Sequence, residues 1–406
     1  MKRALQVALG ILTAIGGFVD AGAIATAVGA GAVFGLSLVW AMLLGTVAVI
    51  LLVEMSGRLA AVSGKPYAAS IRERFGFKYY LAPLTSELTA NSLLLAADLG
   101  GMSIGLSLLT GIRWLYLIPA AAFIVWLMVW RAPFGLIENG PSLLGLVTLS
   151  FIVAIVVLGG PPSDLLTTLW KPSFPRTELS EYLFLSAAIL GAVISPYLLF
   201  FYSSGAREEK WSRRDLSLNR ITAVLGMGFG SITAVSLIVL SAMVLQPRDI
   251  SGITLSEVGL SMAEALGSIG ARLYAVALFT TCLGAALEIS LSTGYNIAQG
   301  FGWEWGEKRT PAETPRFSLV ISLYLLVGLG IALIGVDPLQ LALYGSAFTA
   351  LILPISLFPF LVLMNDREYL RDKVNKPWNN IAVIAVLAIA FLVALVTLPL
   401  LILSGG

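Results

Sequence analysis

The chain has no histidine, a single cysteine (Cys282) and few charges: Asp, Glu, Lys and Arg make up 12% of its 406 residues. Each scarcity excludes something. Without histidine there is no imidazole to serve as a base or as a metal ligand, and no nucleophile-and-base set of an enzyme is present. One cysteine cannot close an intramolecular disulfide. A net charge of +2 implies neither a strongly basic nor a strongly acidic partner, and no nucleic acid. What the sequence has in abundance is apolar: hydrophobic residues reach 58%, far from a soluble globular balance.

The apolar residues fall into eleven stretches, roughly 4–31, 33–61, 80–109, 113–131, 141–159, 181–204, 220–245, 265–298, 316–335, 338–363 and 378–403. A helix of about 20 apolar residues crosses a bilayer. The runs are continuous rather than alternating, which selects helices over a barrel. The opening MKRALQVALGILTAIGGF has the look of a signal peptide, but its apolar run continues past Asp20 to about Val33 without a cleavage site, so it reads as the first span. Connections are short, and no segment looks like a separate soluble domain.

Threading eleven spans from a cytoplasmic N-terminus puts twenty of the 25 Lys and Arg on the cytoplasmic side, a strong positive-inside bias. Adding or dropping an early span scrambles it. Two cytoplasmic segments, GKPYAASIRERFG (64–76) and AREEKWSRRDLSLNR (206–220), carry basic and apolar residues at helical spacing. They read either as interfacial helices or as solvated charged loops.

Inside the spans, polar groups need reasons, since a charge at mid-bilayer costs roughly 2.5–3.5 kcal/mol on insertion scales. Asp20 lies near the middle of the first span, in GGFVDAG, where three glycines weaken the helix. The sixth span has a matching interruption: Pro196 in AAILGAVISPYLLFF removes a donor and leaves carbonyls around Ala192 without helical partners. Two spans broken at mid-depth, five apart, are what an inverted repeat of five plus five helices produces, with unwound carbonyls facing a cation between them. A Pro kink and a Gly packing face are the plainer alternative, but that leaves Asp20 unexplained.

The run DAGAIATAVGAGAVFGLSLVWAMLLGTVAVILLVEMSGRLAAVSGKPYAASIRERFG resembles the N-terminal signature of Nramp divalent-metal transporters. So do ILGAVISPYLLFFYSS, LSTGYNIAQGF and LILPISLFPFLVLMNDRE, in order. The resemblance covers essentially the whole chain. It implies an all-α, leucine-transporter-type fold of 11 transmembrane helices, with repeats over about 4–159 and 181–363 and an extra helix at 378–403. It also marks departures. The family's Asp-Pro-Gly-Asn reads Asp20-Ala21-Gly22-Ala23, keeping the aspartate and losing the asparagine ligand. Its Met-Pro-His reads Ser195-Pro196-Tyr197, losing the sulfur and the imidazole. The alanine that offers its carbonyl matches Ala192. Of the two acids in the third span, one falls on Leu95 and the other on Asp98. A glutamine of the tenth span falls on Ser346. These losses resemble the Nramp-related magnesium transporters.

The altered set, Asp20, Ala23, the Ala192 carbonyl and Ser195, offers oxygen and no sulfur or imidazole, which suits Mg²⁺ or Mn²⁺. Mg²⁺ gives up water reluctantly and is held by one or two carboxylates. Small residues at Ala23 and Ser195 leave room for a hydrated ion. Glu87, Asn91 and Asp98 share one helical face. Asp98 is read either as a carboxylate that attracts the ion or binds its water shell, or as a structural hydrogen bond to a neighbouring helix. Glu288 is read as lining an aqueous path, as taking part in a second ion contact, or as a protonated, hydrogen-bonded packing residue, and Glu54 as a salt bridge to Arg58. With tyrosine at position 197 and leucine at position 95, proton coupling is not expected.

The chain is therefore expected to be a monomeric, multi-pass plasma-membrane importer of hydrated Mg²⁺ (also Mn²⁺) working by alternating access, with the lipid bilayer and the ion as its partners and no cofactor. Its rivals are a proton-coupled Mn²⁺/Fe²⁺ importer and an amino-acid carrier of the same fold.

Overall fold

The computed structural model describes residues 19–131, 146–163, 165–170, 178–248 and 254–404. Most of the first expected span, with Gly16 and Gly17, lies outside the described residues, as do positions 141–145 of the fifth span. Lys2, Arg3, Lys171 and Arg176, all used in the charge count, lie outside them too.

Within the described residues the chain forms helices α1 (Ala21–Phe34), α2 (Val39–Ser63), α3 (Tyr67–Phe75), α4 (Phe77–Thr110), α5 (Trp114–Arg131), α6 (Ser150–Val157) and α7 (Leu165–Trp170). There follow α8 (Leu179–Val193), α9 (Pro196–Glu208), α10 (Leu216–Val244), α11 (Val258–Phe301), α12 (Pro315–Leu333), α13 (Pro338–Asn365), α14 (Arg367–Leu370) and α15 (Pro377–Ser404). Among the described residues, nine helical stretches are long and apolar enough to cross a bilayer, one of them made of α8 and α9 together. The shorter apolar helices Ala21–Phe34 and Leu146–Val157 fall in the first and fifth expected spans. Helix α4, at 34 residues, is about 51 Å long, well beyond a hydrocarbon core of about 30 Å.

The helices sort into an inner and an outer set. The apolar window of the α8–α9 stretch is 94% buried and that of α11 is 89% buried, against 22% for α5 and 28% for α15. In lipid, a helix can be apolar all round whether it faces protein or hydrocarbon, so helix–helix contact relies on close packing of small residues. Gly191 shows this. A side chain there would run into the backbone of Ser346 and come within 2.8 Å of the Ala350 nitrogen, so α8 and α13 touch backbone to backbone.

The segment 64–76 is a helix, α3, with Tyr67, Ala68, Ser70 and Ile71 buried and Arg72, Glu73 and Arg74 outward. Tyr67 stacks on Phe200 (4.5 Å between ring centroids) and meets Phe360 edge-on, which ties α3 to α9 and α13. The segment 206–220 is not a separate helix. Helix α9 runs to Glu208, and a capping box at Ser212 and Asp215 opens a short turn into α10. Two donors satisfied in one turn there start α10 directly. Glu54 and Arg58 pair at 3.2 Å, and Arg58 also donates to Lys373 O (2.6 Å) and Asn375 Oδ1 (2.8 Å), fastening α2 to the loop before α15.

Candidate cation site at the start of α1 and the α8–α9 break

The sixth span is fully broken rather than kinked. Helix α8 ends at Val193, Ile194 and Ser195 leave helical geometry, and Pro196 opens α9 at its first position. Proline suits that position, because its missing N–H would have had no helical partner. The carbonyls before the break were expected to be free. They are not: Ser195 Oγ lies 3.0 Å from Ala192 O and 3.1 Å from Gly191 O, and donates its single proton to them. A hydroxyl three or four residues on reaches back over the last turn and takes the acceptor that the proline vacates.

On the other side, Asp20 stands in extended geometry (φ −101°, ψ −178°) as the N-cap of α1. Its Oδ1 accepts the Ala23 N–H at 2.6 Å, so Ala23 contributes its amide to the Asp20 cap. Asp98, from α4, accepts the Ala21 N–H at 2.8 Å. Two carboxylates from different spans thus satisfy donors of one helix N-terminus. The partial positive charge there, roughly half an elementary charge, offsets part of their mutual repulsion. A divalent cation would neutralise the rest.

Their outward oxygens have little to hold them. Asp98 Oδ2 is buried with no hydrogen-bond partner, and Tyr197 Oη reaches Asp20 Oδ2 only at a long 3.5 Å. Ser346, on α13, lies against both α1 and α8. A side chain at Gly22 would meet Ser346 Oγ at 2.5 Å and Asp20 Oδ1 at 3.1 Å, and Gly191 packs on the Ser346 carbonyl. Ser346 Oγ is also buried without a partner. Unpartnered buried polar atoms are rare in native proteins and ask for an occupant.

Glu288 is on α11, 8% exposed. It sits one turn before Ser292, whose hydroxyl donates to Tyr197 O at 3.1 Å. The structure therefore gathers Asp20, Ala23, Asp98, Ser346 and Tyr197 around the start of α1; Ala192 and Ser195 stand at the break beside Gly191, which packs on Ser346, and Glu288 lies one turn before Ser292, which bonds Tyr197. Sequence reading missed Cys282, which it used only to exclude a disulfide. The buried thiol sits beside Asp98 and packs on Gly101. No spacing in the sequence announces that contact between α4 and α11. Among the described residues, no group of three or more His, Cys, Asp or Glu is placed to hold a metal ion. Carbonyls, hydroxyls and water would have to complete any coordination shell.

Among the described residues, an all-helical bundle with α8 and α9 separated by a break, and α1 starting beside it at a buried aspartate, defines a membrane carrier of the broken-helix class. Residues 10–399 match the family model described as natural resistance-associated macrophage protein-like, and the chain belongs to that family, Nramp. It is 27% identical over 381 residues to the divalent metal cation transporter MntH of Verminephrobacter eiseniae, covering 91% of this chain and 83% of the relative. To the MntH of Pectobacterium carotovorum it is 25% identical, covering 89% and 86%. Its fold is similar to that of a variant of the manganese transporter of Eremococcus coleocola, with a TM-score of 0.76, 19% identity and 96% and 85% of the two chains covered. It is also similar to a nucleobase-cation-symport-1 family transporter in a closed conformation, with a TM-score of 0.61 at 12% identity, covering 96% and 91%.

Proposed function

We propose that this protein imports divalent cations across the plasma membrane by alternating access, that Mg²⁺ with much of its water is the principal substrate, and that protons are not co-transported. The N-terminus is read as cytoplasmic from the charge bias. The observation that carries the reading is the pair of carboxylates, Asp20 and Asp98, meeting at one helix N-terminus with Asp98 Oδ2 and Ser346 Oγ unpartnered beside them. Their combined charge suits a divalent ion, and their oxygens suit a hard one. Water in the ion's shell can reach Ser346 and the Ala192 carbonyl while Ser195 keeps its internal hydrogen bond. The family's soft and titratable ligands are replaced by Ser195 and Tyr197, which supports a hard ion and uncoupled movement. A tyrosine does not titrate near neutral pH.

A second reading, a softer ion such as Mn²⁺, is favoured by one observation: the Cys282 thiol lies beside Asp98. Curated relatives of this chain also carry the name divalent metal cation transporter. The two readings separate in proteoliposomes. Excess Mg²⁺ is expected to suppress Mn²⁺ uptake; uptake that ignores a large excess of Mg²⁺ rejects the magnesium reading.

A further inference from the structure

Eleven residues before Asp98 on α4 stands Glu87, 1% exposed. At about 1.5 Å per residue the two acids are roughly 16 Å apart along the helix, so Glu87 is not part of the site at the start of α1. Asn91 donates to Glu87 Oε1 at a long 3.3 Å, and Glu87 Oε2 is buried without a partner. Among the described residues no Lys or Arg pairs with it.

Helices α4 and α11 pack antiparallel. Gly101 lies on Cys282 and Gly105 on Ala275 and Phe279; at the other end the Tyr80 hydroxyl donates to Asn296 O at 2.8 Å, and its ring covers Gly300. This register sets Glu87 level with Thr293 and Asn91 level with Ser290. Asn296 is 1% exposed, and neither its amide nitrogen nor its oxygen has a partner; the Ser290 hydroxyl has none either. From α12, Tyr324 lies next to Thr293 and closes another side, accepting from Ser92 (3.2 Å) and donating to Leu88 O (2.8 Å).

A carboxylate oxygen on α4 and, on α11, a hydroxyl one turn to one side of its level and both ends of an amide one turn to the other are all buried and unpartnered. One water can bridge two to four such groups; a carboxylate held ionised there would also need a positive partner. A hydrated divalent cation answers both needs, since such an ion accepts a single carboxylate and presents water to the remaining groups. The geometry points to a second cation site at Glu87, with Asn91, Ser290 and Asn296 holding the ion's water shell. It lies between the Asp20 site and the end of the bundle carrying α3 with Arg72 and Arg74, the end that the charge bias assigns to the cytoplasm. An ion leaving Asp20 pauses there before release. This rests on the reading of the protein as a cation carrier.

The test counts Mn²⁺ bound to the purified full-length chain by equilibrium dialysis, with uptake measured in parallel in proteoliposomes. Two ions per chain are expected for the unaltered protein and one each for Glu87→Gln and Asp20→Asn. Asn296→Ala is expected to weaken the second site about tenfold, as loss of a group that supports a ligand does. It also provides the answer if Glu87→Gln fails to fold. Slower uptake by Glu87→Gln with its Asp20 site still occupied supports the inference. One ion per chain in the unaltered protein, lost on Asp20→Asn and untouched by Glu87→Gln, overturns it, leaves the carrier reading intact and makes the surroundings of Glu87 a water pocket. Absence of both binding and uptake in the unaltered protein overturns both.

Discussion

Asp20 has two tasks that pull on the same carboxylate. One oxygen caps α1, and the other faces Tyr197. Removing an N-cap costs about 1 kcal/mol of stability, which a folded carrier survives. Losing a principal ligand costs more than the roughly 10–100-fold in affinity typical of an outer-shell partner. Asp20→Ala is therefore expected to elute as a folded protein and to show no measurable uptake; near-normal flux removes Asp20 from the site. Ser195 gives the complementary prediction. Ser195→Met removes the hydroxyl that occupies the Ala192 carbonyl and brings in a soft thioether. Cd²⁺ should then inhibit Mg²⁺ uptake at clearly lower concentration than in the unaltered protein, read from inhibition curves. Both acids of the pair were legible in the sequence, because a carboxylate in an apolar span is expensive enough to need a reason. The Ser195 hydrogen bond was not, because it depends on a side-chain rotamer at a break whose extent the proline alone does not set. The contact of Cys282 with Asp98 joins two helices whose relative register no local pattern records.

At the scale of elements, the spans were readable and their packing was not. Continuous apolar runs mark a helix in lipid, but lipid and protein interior are equally apolar, so no stripe along the helix shows which face meets a neighbour. Ser346 touching both α1 and α8, through Gly22 and Gly191, is such a hidden contact. It makes a testable pair. Gly22→Ala drives a methyl to about 2.5 Å from Ser346 Oγ and lowers the thermal transition; adding Ser346→Ala removes the offending oxygen and should restore much of the loss. Gly191→Ala presses on backbone, which cannot rotate away, so overpacking of about 1–3 kcal/mol is expected with no such rescue. Arg58 is the polar counterpart. It is 8% exposed and joins Glu54 to the loop before α15, and Arg58→Ala leaves Glu54 without its ion-pair partner. Breaking a buried pair costs about 3–5 kcal/mol, and this mostly buried one belongs near the lower end. A thermal melt in detergent measures it against Glu54→Gln/Arg58→Gln, in which neither charge is left alone.

For the whole molecule, the proposed function has a bundle broken between α8 and α9 pass a doubly charged ion down the membrane potential. Each charge gains about 2.3 kcal/mol per 100 mV, so a divalent ion gains about 4.6 kcal/mol, enough to drive uptake without a proton gradient. The division into two five-helix repeats with an added last helix is part of this proposal, since opposite rocking of the repeats around a fixed centre gives alternating access. Hydropathy marked a helical membrane protein and the two interruptions suggested an inverted repeat, while the leucine-transporter-type fold came from the resemblance to the Nramp signature. The choice of ion rests on what replaced the family's ligands, and composition alone could not decide it. The most direct measurement loads proteoliposomes with a Mg²⁺-sensitive dye, and in parallel with a pH-sensitive one, under a potassium diffusion potential that is negative inside. The account predicts a Mg²⁺ signal that grows with the potential, is absent in Asp20→Ala, and leaves the pH dye flat. No Mg²⁺ signal, alongside Mn²⁺ uptake that acidifies the lumen, would contradict it.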